Sequence, residues 1–258
     1  MTDVPTTQYA TDRNLAARQH LWASGREPAF DMFGWTLDLG GVGQAGDDRI
    51  LDVGCGNGNY EKALAARGHR GQVVPMDMSA GMLTTVPSTQ RVQADAQALP
   101  FRPRSFDLVL APHMLYHVPD IGLAATELRR VLRDGARCVA VTNGQGNLRE
   151  VRDLIESSIG NAWTMQRSSD RFSLENGADQ LAVAFDDIVR VDCPPGHVVV
   201  RDAEALAGYV ASIGDLFESQ VTKPWTEVVE DLRSEAAHRI GRDGEMRLST
   251  SVGAFVCR

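Results

Sequence analysis

The chain has 258 residues, of which 43% are hydrophobic and 23% charged, a balance typical of a globular protein with a sizeable core. This composition excludes the disordered, collagen-like and coiled-coil classes. Acidic residues outnumber basic ones by 34 to 26, and no cluster of lysines and arginines offers a surface for a phosphate backbone, so a nucleic-acid partner is disfavoured.

Cysteine spacing and the first residues favour a cytoplasmic location. The four cysteines lie far apart with no CxxC pair, so neither a zinc knuckle nor a disulfide framework is indicated. The N-terminus lacks the basic start and the apolar run of a secretory signal, and no later apolar run approaches bilayer length. We therefore expect a cytoplasmic protein without a membrane span.

The predicted elements begin with two helices, over 12–23 and 30–39, the second ended by a pair of glycines. From 49 to 142, five short apolar runs alternate with helical stretches: ILDV, QVVPMD, RVQAD, FDLVLA and RCVAVT. This alternation predicts βαβ units, with a parallel sheet covered by helices on both faces. Pro75 falls inside the second run, where a missing N–H is tolerated only at a bulge or strand end.

Beyond Thr142 the pattern is looser. It predicts four helices, a strand at DDIVRVDC and a single closing strand in EMRLSTSVGAFVCR. The helices are expected over 148–159, 175–184, 202–212 and 225–240. No repeat, low-complexity tract or linker forces a domain boundary.

The loop in ILDVGCGNGNY, residues 50–60, is the most informative segment. Asp52 ends the predicted strand, and three glycines precede the next helix: Gly54, Gly56 and Gly58. Such glycines let the backbone approach a ligand closely at the carboxyl edge of the sheet, where open α/β folds bind cofactors. The spacing is not the dinucleotide GxGxxG, because Asn59 stands where the last glycine is required. Asp52 would repel a pyrophosphate but attract a ligand that carries an ammonium and a sulfonium.

DVGCGNG resembles motif I of the class I S-adenosylmethionine-dependent methyltransferases, especially the UbiE-like small-molecule branch. The resemblance is strong over 45–145 and elsewhere rests on the order of elements. It implies an α/β, Rossmann-like fold: a seven-stranded, mostly parallel sheet with an antiparallel last strand, an N-terminal helical lid, and inserts after strands 5 and 6. The chain would then be one methyltransferase domain, with a lid (1–45), a cofactor-binding core (46–145) and substrate-side inserts with closing strands (146–258). One departure is the family's Pro-Gly-Gly turn, which reads Asp-Gly-Ala at 134–136.

The resemblance also implies the cofactor contacts. Asp77 matches the acid that accepts hydrogen bonds from both ribose hydroxyls, and Asp95 with Ala96 matches the pair beside the adenine. His113 or Met114 would border the methionine moiety. The positions expected to bind S-adenosylmethionine are Asp52, Gly54, Cys55, Gly56, Gly58, Asp77, Met78, Asp95, Ala96, His113 and Tyr9.

Methyl transfer from a sulfonium is an in-line displacement whose electrophile comes from the cofactor, so the protein mainly orients the nucleophile. After the fourth strand, His117 is our first candidate for a catalytic base and His113 the second, because an imidazole suits this proton transfer. Alternatively, His117 only orients its loop. The pair lacks the Glu of HExxH and a nearby third ligand, so we expect no metal.

The lid and the inserts are expected to select the acceptor. In related enzymes the N-terminal segment folds over the cofactor, where Tyr9 would cover the sulfonium through a cation–π contact. Tyr116, Trp163 and Phe172 are the predicted substrate-binding residues. Their aromatic character suggests a hydrophobic acceptor of the polyketide, terpenoid, indole or quinone type.

We therefore expect S-adenosylmethionine-dependent methyl transfer to an O, N or C nucleophile of a small hydrophobic metabolite, natural-product or quinone-like. An NAD(P)-dependent oxidoreductase on a similar sheet is one alternative; Asp77 fits it, but Asp52 and Asn59 do not. The other is a protein that binds the sulfonium cofactor without methyl transfer, as a regulator, cyclase or isomerase.

Overall fold

A computed structural model describes residues 8–160, 168–218 and 221–258. Its strands in these ranges are β1 (Arg26–Glu27), β2 (Ile50–Val53), β3 (Val73–Asp77), β4 (Val92–Gln93), β5 (Phe106–Pro112), β6 (Leu132–Asn143), β7 (Ile188–Asp192), β8 (His197–Val200), β9 (Met246–Ser249) and β10 (Val252–Cys257). Its helices are α1 (Arg13–Gly25), α2 (Met32–Leu39), α3 (Asn59–Ala66), α4 (Ala80–Leu83), α5 (Ile121–Val131), α6 (Arg149–Ile159), α7 (Ser168–Arg171), α8 (Gly177–Leu181), α9 (Ala203–Ser212), α10 (Gly214–Phe217) and α11 (Trp225–Asp243).

Seven strands form the main sheet, in the order β4-β3-β2-β5-β6-β10-β7. Strands β2 to β6 pair in parallel, whereas β10 runs antiparallel to both β6 and β7. This confirms the predicted mostly parallel sheet with its antiparallel last strand, and all five predicted core strands are present.

Helices cover both faces of this sheet because successive side chains of a strand point to opposite sides. Leu51 of β2 packs in a core with α5, whereas its neighbour Ile50 packs in a second core with α2 and α3. Both side chains are fully buried. Two-sided burial explains why these strands are continuously apolar.

Pro75 lies inside β3 without disrupting the sheet. On the side of β4, the carbonyl of Asp77 accepts a hydrogen bond from the N–H of Ala94, and Pro75 is two residues back on that same side. The pairing with β4 begins only at Met76. Pro75 therefore lies before the start of the short edge strand β4, so the N–H that it lacks would have made no hydrogen bond to that strand.

The C-terminal expectation of one closing strand is wrong, because two strands are present. β9 pairs with β8 in a separate three-stranded sheet with β1, and only β10 joins the main sheet. Strand pairing is interrupted between β9 and β10 at Ser251. The N–H of Ser251 donates to the side chain of Asn147, and the carbonyl of Ser251 accepts from the N–H of Gly144. The small sheet packs with α1, α6, α9 and α11 around a core of its own.

The predicted helices are found within a few residues of their expected bounds, except that the helix expected over 175–184 is reduced to Gly177–Leu181. At the turn that departs from the family pattern, Gly135 adopts a φ of 75°. The register between β5 and β6 shifts beside this turn. Within the described ranges, no helix is both long and apolar enough to cross a membrane.

Candidate active site

The loop between β2 and α3 presents bare backbone at the carboxyl edge of the sheet. Gly54 and Gly56 have φ values of 71° and 54°, which favour glycine. A Cβ on Gly54 would lie 2.6 Å from Cβ of Met114, and one on Gly56 would lie 2.9 Å from Cδ2 of Leu15. The backbone conformation therefore favours glycine at both positions, and at Gly54 the Cβ of Met114 also leaves no room for a side chain.

Asp52 lies beneath this loop, fully buried at the end of β2. Neither of its carboxylate oxygens has a hydrogen-bond donor among the described residues. Burial, together with the nearby carboxylates of Asp77 and Glu61, raises the pKa of Asp52 to about 8. A buried carboxyl without donors is costly to ionise, so this position favours a ligand that brings a positive charge.

Asp77 ends the neighbouring strand β3 and faces the same loop. One of its carboxylate oxygens accepts from the N–H of Gly56 at 2.9 Å, and the other accepts from the N–H of Ser79 at 2.8 Å. Burial raises the pKa of Asp77, and these backbone bonds oppose the shift. A carboxylate has about four acceptor sites, so both oxygens retain capacity for ligand hydroxyls.

The residues predicted to lie beside an adenine form the rim next to Asp77. Met78 is 65% exposed, and an apolar side chain this exposed beside a polar cleft offers a surface for a flat ring. Asp95 accepts hydrogen bonds from the backbone and side-chain amides of Gln97, whereas Ala96 is buried. Cys55 is also buried, which raises the pKa of its thiol and makes it an uncharged wall of the loop.

The N-terminal segment closes over the cleft. The hydroxyl of Tyr9 is hydrogen-bonded to Nε2 of His117 at 2.8 Å, and its carbonyl accepts from Oγ of Ser79 at 2.7 Å. Nearly two turns into α1, the side chain of Gln19 is hydrogen-bonded to Asn57 of the glycine loop at 2.9 Å. Tyr9 thus joins the end of β3 to the segment after β5, across the cleft.

Both candidate bases are held neutral. Burial lowers the pKa of His113 to about 4. Burial, reinforced by the positive charges of Arg18 and Arg171, lowers the pKa of His117 to about 3. The strained φ of 54° at His113 is stabilised by its N–H, which donates to the carbonyl of Val141 at 2.8 Å.

The predicted substrate residues do not come together. The ring of Tyr116 packs edge-on against His117, with 4.6 Å between centroids. Phe172 is fully buried in the main core against Phe255, so its position gives it a packing role instead of a place in the cleft. Trp163 lies outside the described residues.

Two residues at the cleft were absent from the predicted set, Ser79 and Arg18. Ser79 carries a local signal, because it caps α4 two residues after the strand-end acid Asp77. Arg18 carries none, because its neighbours Tyr9 and Ser212 are brought to it by the tertiary fold.

Comparison with known proteins identifies the fold and the loop. The methyltransferase-domain family matches residues 51–140, which contain β2 to β5, the glycine loop and most of β6. Residues 51–140 are thus a methyltransferase domain similar to those of the class I S-adenosylmethionine-dependent methyltransferases, of the UbiE-like kind. S-adenosylmethionine is accordingly the cofactor of this methyltransferase domain. The donor-free carboxyl of Asp52 and the glycine cradle fit a ligand with an ammonium and a sugar.

Two relatives show how far the similarity extends. The domain is 34% identical over 111 residues to a malonyl-[acyl-carrier protein] O-methyltransferase of Legionella pneumophila, and 38% identical over 112 residues to a demethylmenaquinone methyltransferase of Lactiplantibacillus plantarum. These alignments span 40% and 39% of this chain, and the chain covers only 39% and 47% of the relatives' own lengths. The chain therefore spans less than half of the length of these two relatives.

Solved structures share the fold of this chain. A protein of Anabaena variabilis, assigned as a methyltransferase of an antibiotic biosynthesis pathway, matches with a TM-score of 0.63 and 16% identity over 88% of this chain and 96% of that one. The phosphoethanolamine N-methyltransferase 2 of Haemonchus contortus, solved with S-adenosyl-L-methionine, matches with a TM-score of 0.57 and 20% identity over 96% of this chain and 57% of that one.

Proposed function

We propose that this chain transfers a methyl group from S-adenosylmethionine to a small molecule. The observation that carries the proposal is the buried carboxyl of Asp52, which lacks any donor among the described residues and lies beneath a glycine loop shaped for close approach. The bound cofactor supplies an electrophilic methyl group. What remains for the protein is to place the acceptor in line with it and to exclude water.

The cofactor contacts follow from these positions. Asp52 would hold the methionine ammonium, and Asp77 the ribose hydroxyls through the acceptor sites that its backbone bonds leave open. The remaining residues form two groups. The group beside the methionine moiety consists of Gly54, Cys55, Gly56, Gly58 and His113, and the group beside the adenine consists of Met78, Asp95 and Ala96.

His117 acts in this proposal by holding the lid closed instead of by removing a proton. Its Nε2 is occupied by the hydroxyl of Tyr9, and a pKa of about 3 is far below the value suited to a general base at neutral pH. Closure of Tyr9 onto His117 completes the wall of the cleft and excludes water from it. The acceptor atom would then be a nucleophile that reacts without a general base, such as an amine, an ionised phenol or a carbanion.

The acceptor is proposed to be a small hydrophobic metabolite, natural-product or quinone-like, methylated at O, N or C. The aromatic side chain of Tyr116 supports this class, because it lies beside His117 at the cleft. The relatives named above include an enzyme whose name specifies a demethylmenaquinone acceptor. A cytoplasmic location and the lack of a nucleic-acid partner stay predictions from the sequence.

Ligand binding and turnover test the proposed function. Titration calorimetry of the purified protein is expected to give one site per chain for S-adenosylhomocysteine and no heat with NADH. Incubation with S-adenosylmethionine and a panel of phenols, indoles, amines and quinols is expected to release S-adenosylhomocysteine with at least one acceptor. Binding of NADH without S-adenosylhomocysteine would instead establish the oxidoreductase alternative, which the comparisons do not favour.

The lid role of the Tyr9–His117 pair predicts matched single-variant effects. Tyr9→Phe and His117→Asn are each expected to lower kcat/KM roughly fivefold, since a hydrogen bond contributes on the order of 1 kcal/mol. The double variant should lose no more than either single variant, because both break the same contact. The measurement is a double-mutant cycle on initial rates at several pH values.

A catalytic base would behave differently in that cycle. His117→Asn would then lower kcat by on the order of 10² to 10⁴ and change the pH profile, while Tyr9→Phe would have a small effect. That pattern would refute the lid role and restore the proton-acceptor assignment.

A further inference from the structure

Arg18 is a half-buried cation with unused hydrogen-bonding capacity. It lies on α1 with Cζ 5.4 Å from the ring centroid of Tyr9. Its Nη1 donates to the carbonyl of Ser212, the last residue of α9, at 3.2 Å. Within the described ranges, no carboxylate forms an ion pair with it. A guanidinium has five N–H donors, so most of those of Arg18 have no acidic partner among the described residues.

Capping of α9 does not explain this arginine. The same carbonyl of Ser212 already accepts a hydrogen bond from Nε2 of Gln8 at 3.0 Å, and this bond is buried. The C-terminus of α9 therefore has a neutral donor that satisfies it without the desolvation cost of a guanidinium. Capping therefore leaves the positive charge of Arg18 at this place unexplained.

Aromatic and imidazole side chains lie around Arg18. Its positive charge acts on the buried hydroxyls of Tyr116 and Tyr209 and on the ring of His117. The other charged or titratable groups near this cluster are Tyr9, His113, Arg171 and Asp77. Because the tyrosines and histidines are neutral, Arg18 places a positive charge beside side chains that offer hydroxyl donors.

Resting on the proposed function, we propose that Arg18 binds a carboxylate of the acceptor, and that the substrate is an aromatic or otherwise apolar acid. A carboxylate would pair with the free guanidinium N–H groups while Tyr116 and Tyr209 contact the apolar body. The methionine moiety of the cofactor carries the same chemical group. The position of Arg18 against the C-terminal end of α9, a helix that supplies none of the residues assigned to the cofactor, favours the acceptor as its source.

Matched acids and amides test this recognition. Titration calorimetry would use protein saturated with S-adenosylhomocysteine and two probe pairs, 4-hydroxybenzoate with 4-hydroxybenzamide and indole-3-acetate with indole-3-acetamide. In the wild-type protein at least one acid is expected to bind at least about tenfold more tightly than its amide. Arg18→Gln should abolish the preference and Arg18→Lys should retain part of it. Arg13→Gln, an exposed change on the same helix, should leave it intact.

Several outcomes would overturn the proposal. They are a wild-type protein that binds no probe acid, equal affinity for acids and amides, and a preference that persists in Arg18→Gln. If Arg18→Gln instead weakens S-adenosylhomocysteine but not its decarboxylated analogue, the arginine binds the cofactor carboxylate and the acceptor assignment fails. A wild-type protein that binds no S-adenosylhomocysteine would refute the proposed function, and this proposal with it. Thermal melts of each variant confirm that it is folded.

Discussion

Replacing Asp77 with alanine is expected to weaken the binding of S-adenosylhomocysteine roughly 100-fold. Each charge-assisted hydrogen bond to a ribose hydroxyl contributes about 1.5 kcal/mol or more, and two of them account for about 3 kcal/mol. The substitution also frees the N–H groups of Gly56 and Ser79, which Asp77 now holds in place at the mouth of the cleft. Titration calorimetry on the purified protein measures the change directly.

Two further variants make the Asp77 result specific. Asp77→Asn keeps the shape and one acceptor, so its loss should be intermediate between wild type and Asp77→Ala. Asp134→Ala removes an exposed acid whose ion pair with Arg104 lies on the surface, and its affinity should equal that of the wild type. An Asp77→Ala protein that is folded and binds within twofold of the wild type would disprove the ribose assignment.

Replacing Asp52 with asparagine is expected to stabilise the cofactor-free protein at alkaline pH. Burial raises the pKa of Asp52 to about 8, whereas an aspartate in the unfolded chain titrates near 3.9. Between these pH values the folded state holds a proton on Asp52 that the unfolded state has lost. The contribution of Asp52 to the free energy of unfolding is therefore fully present below about pH 4 and is lost as pH rises through about 8. Asp52→Asn removes this loss of stability at high pH, because asparagine does not ionise.

The measurement is the melting temperature of the cofactor-free protein from pH 4 to pH 9. Asp52→Asn should melt roughly 10 °C above the wild type at pH 8 and close to it at pH 4. The same variant should bind S-adenosylhomocysteine at least about tenfold more weakly, because the ammonium loses its carboxylate partner. Asp134→Asn, at an exposed position, should follow the wild type throughout. Parallel melting curves for Asp52→Asn and the wild type would contradict a raised pKa at Asp52.

These two predictions combine into one physical account of the site. Without a cation, Asp52 is costly to ionise, and with one it becomes a strong partner. Cofactor binding should therefore release a proton near neutral pH and stabilise the folded protein more at high pH than at low pH. The site lowers the stability of the cofactor-free protein in return for affinity for a positively charged ligand.

Pairings between distant segments lacked a local signal. β1 and β8 were absent from the predicted elements, and each is too short to show a period of its own. They form only because α1, α9 and α11 bury the face of the small sheet that they make with β9. Likewise, Phe172 resembles any other aromatic residue of an insert in sequence, and only its packing against Phe255 assigns it to the core.

The amino-acid sequence by itself determined the parallel core and its cofactor loop, because strand alternation, glycine spacing and the strand-end acids Asp52 and Asp77 are encoded within short segments. Tertiary structure alone decided how the cleft is closed. Tyr9 meets His117 across 108 residues of sequence, and Arg18 meets Ser212 across 194. Contacts of this span depend on how helices pack around two separate cores, and burial in those contacts also holds His117 neutral instead of leaving it as a base.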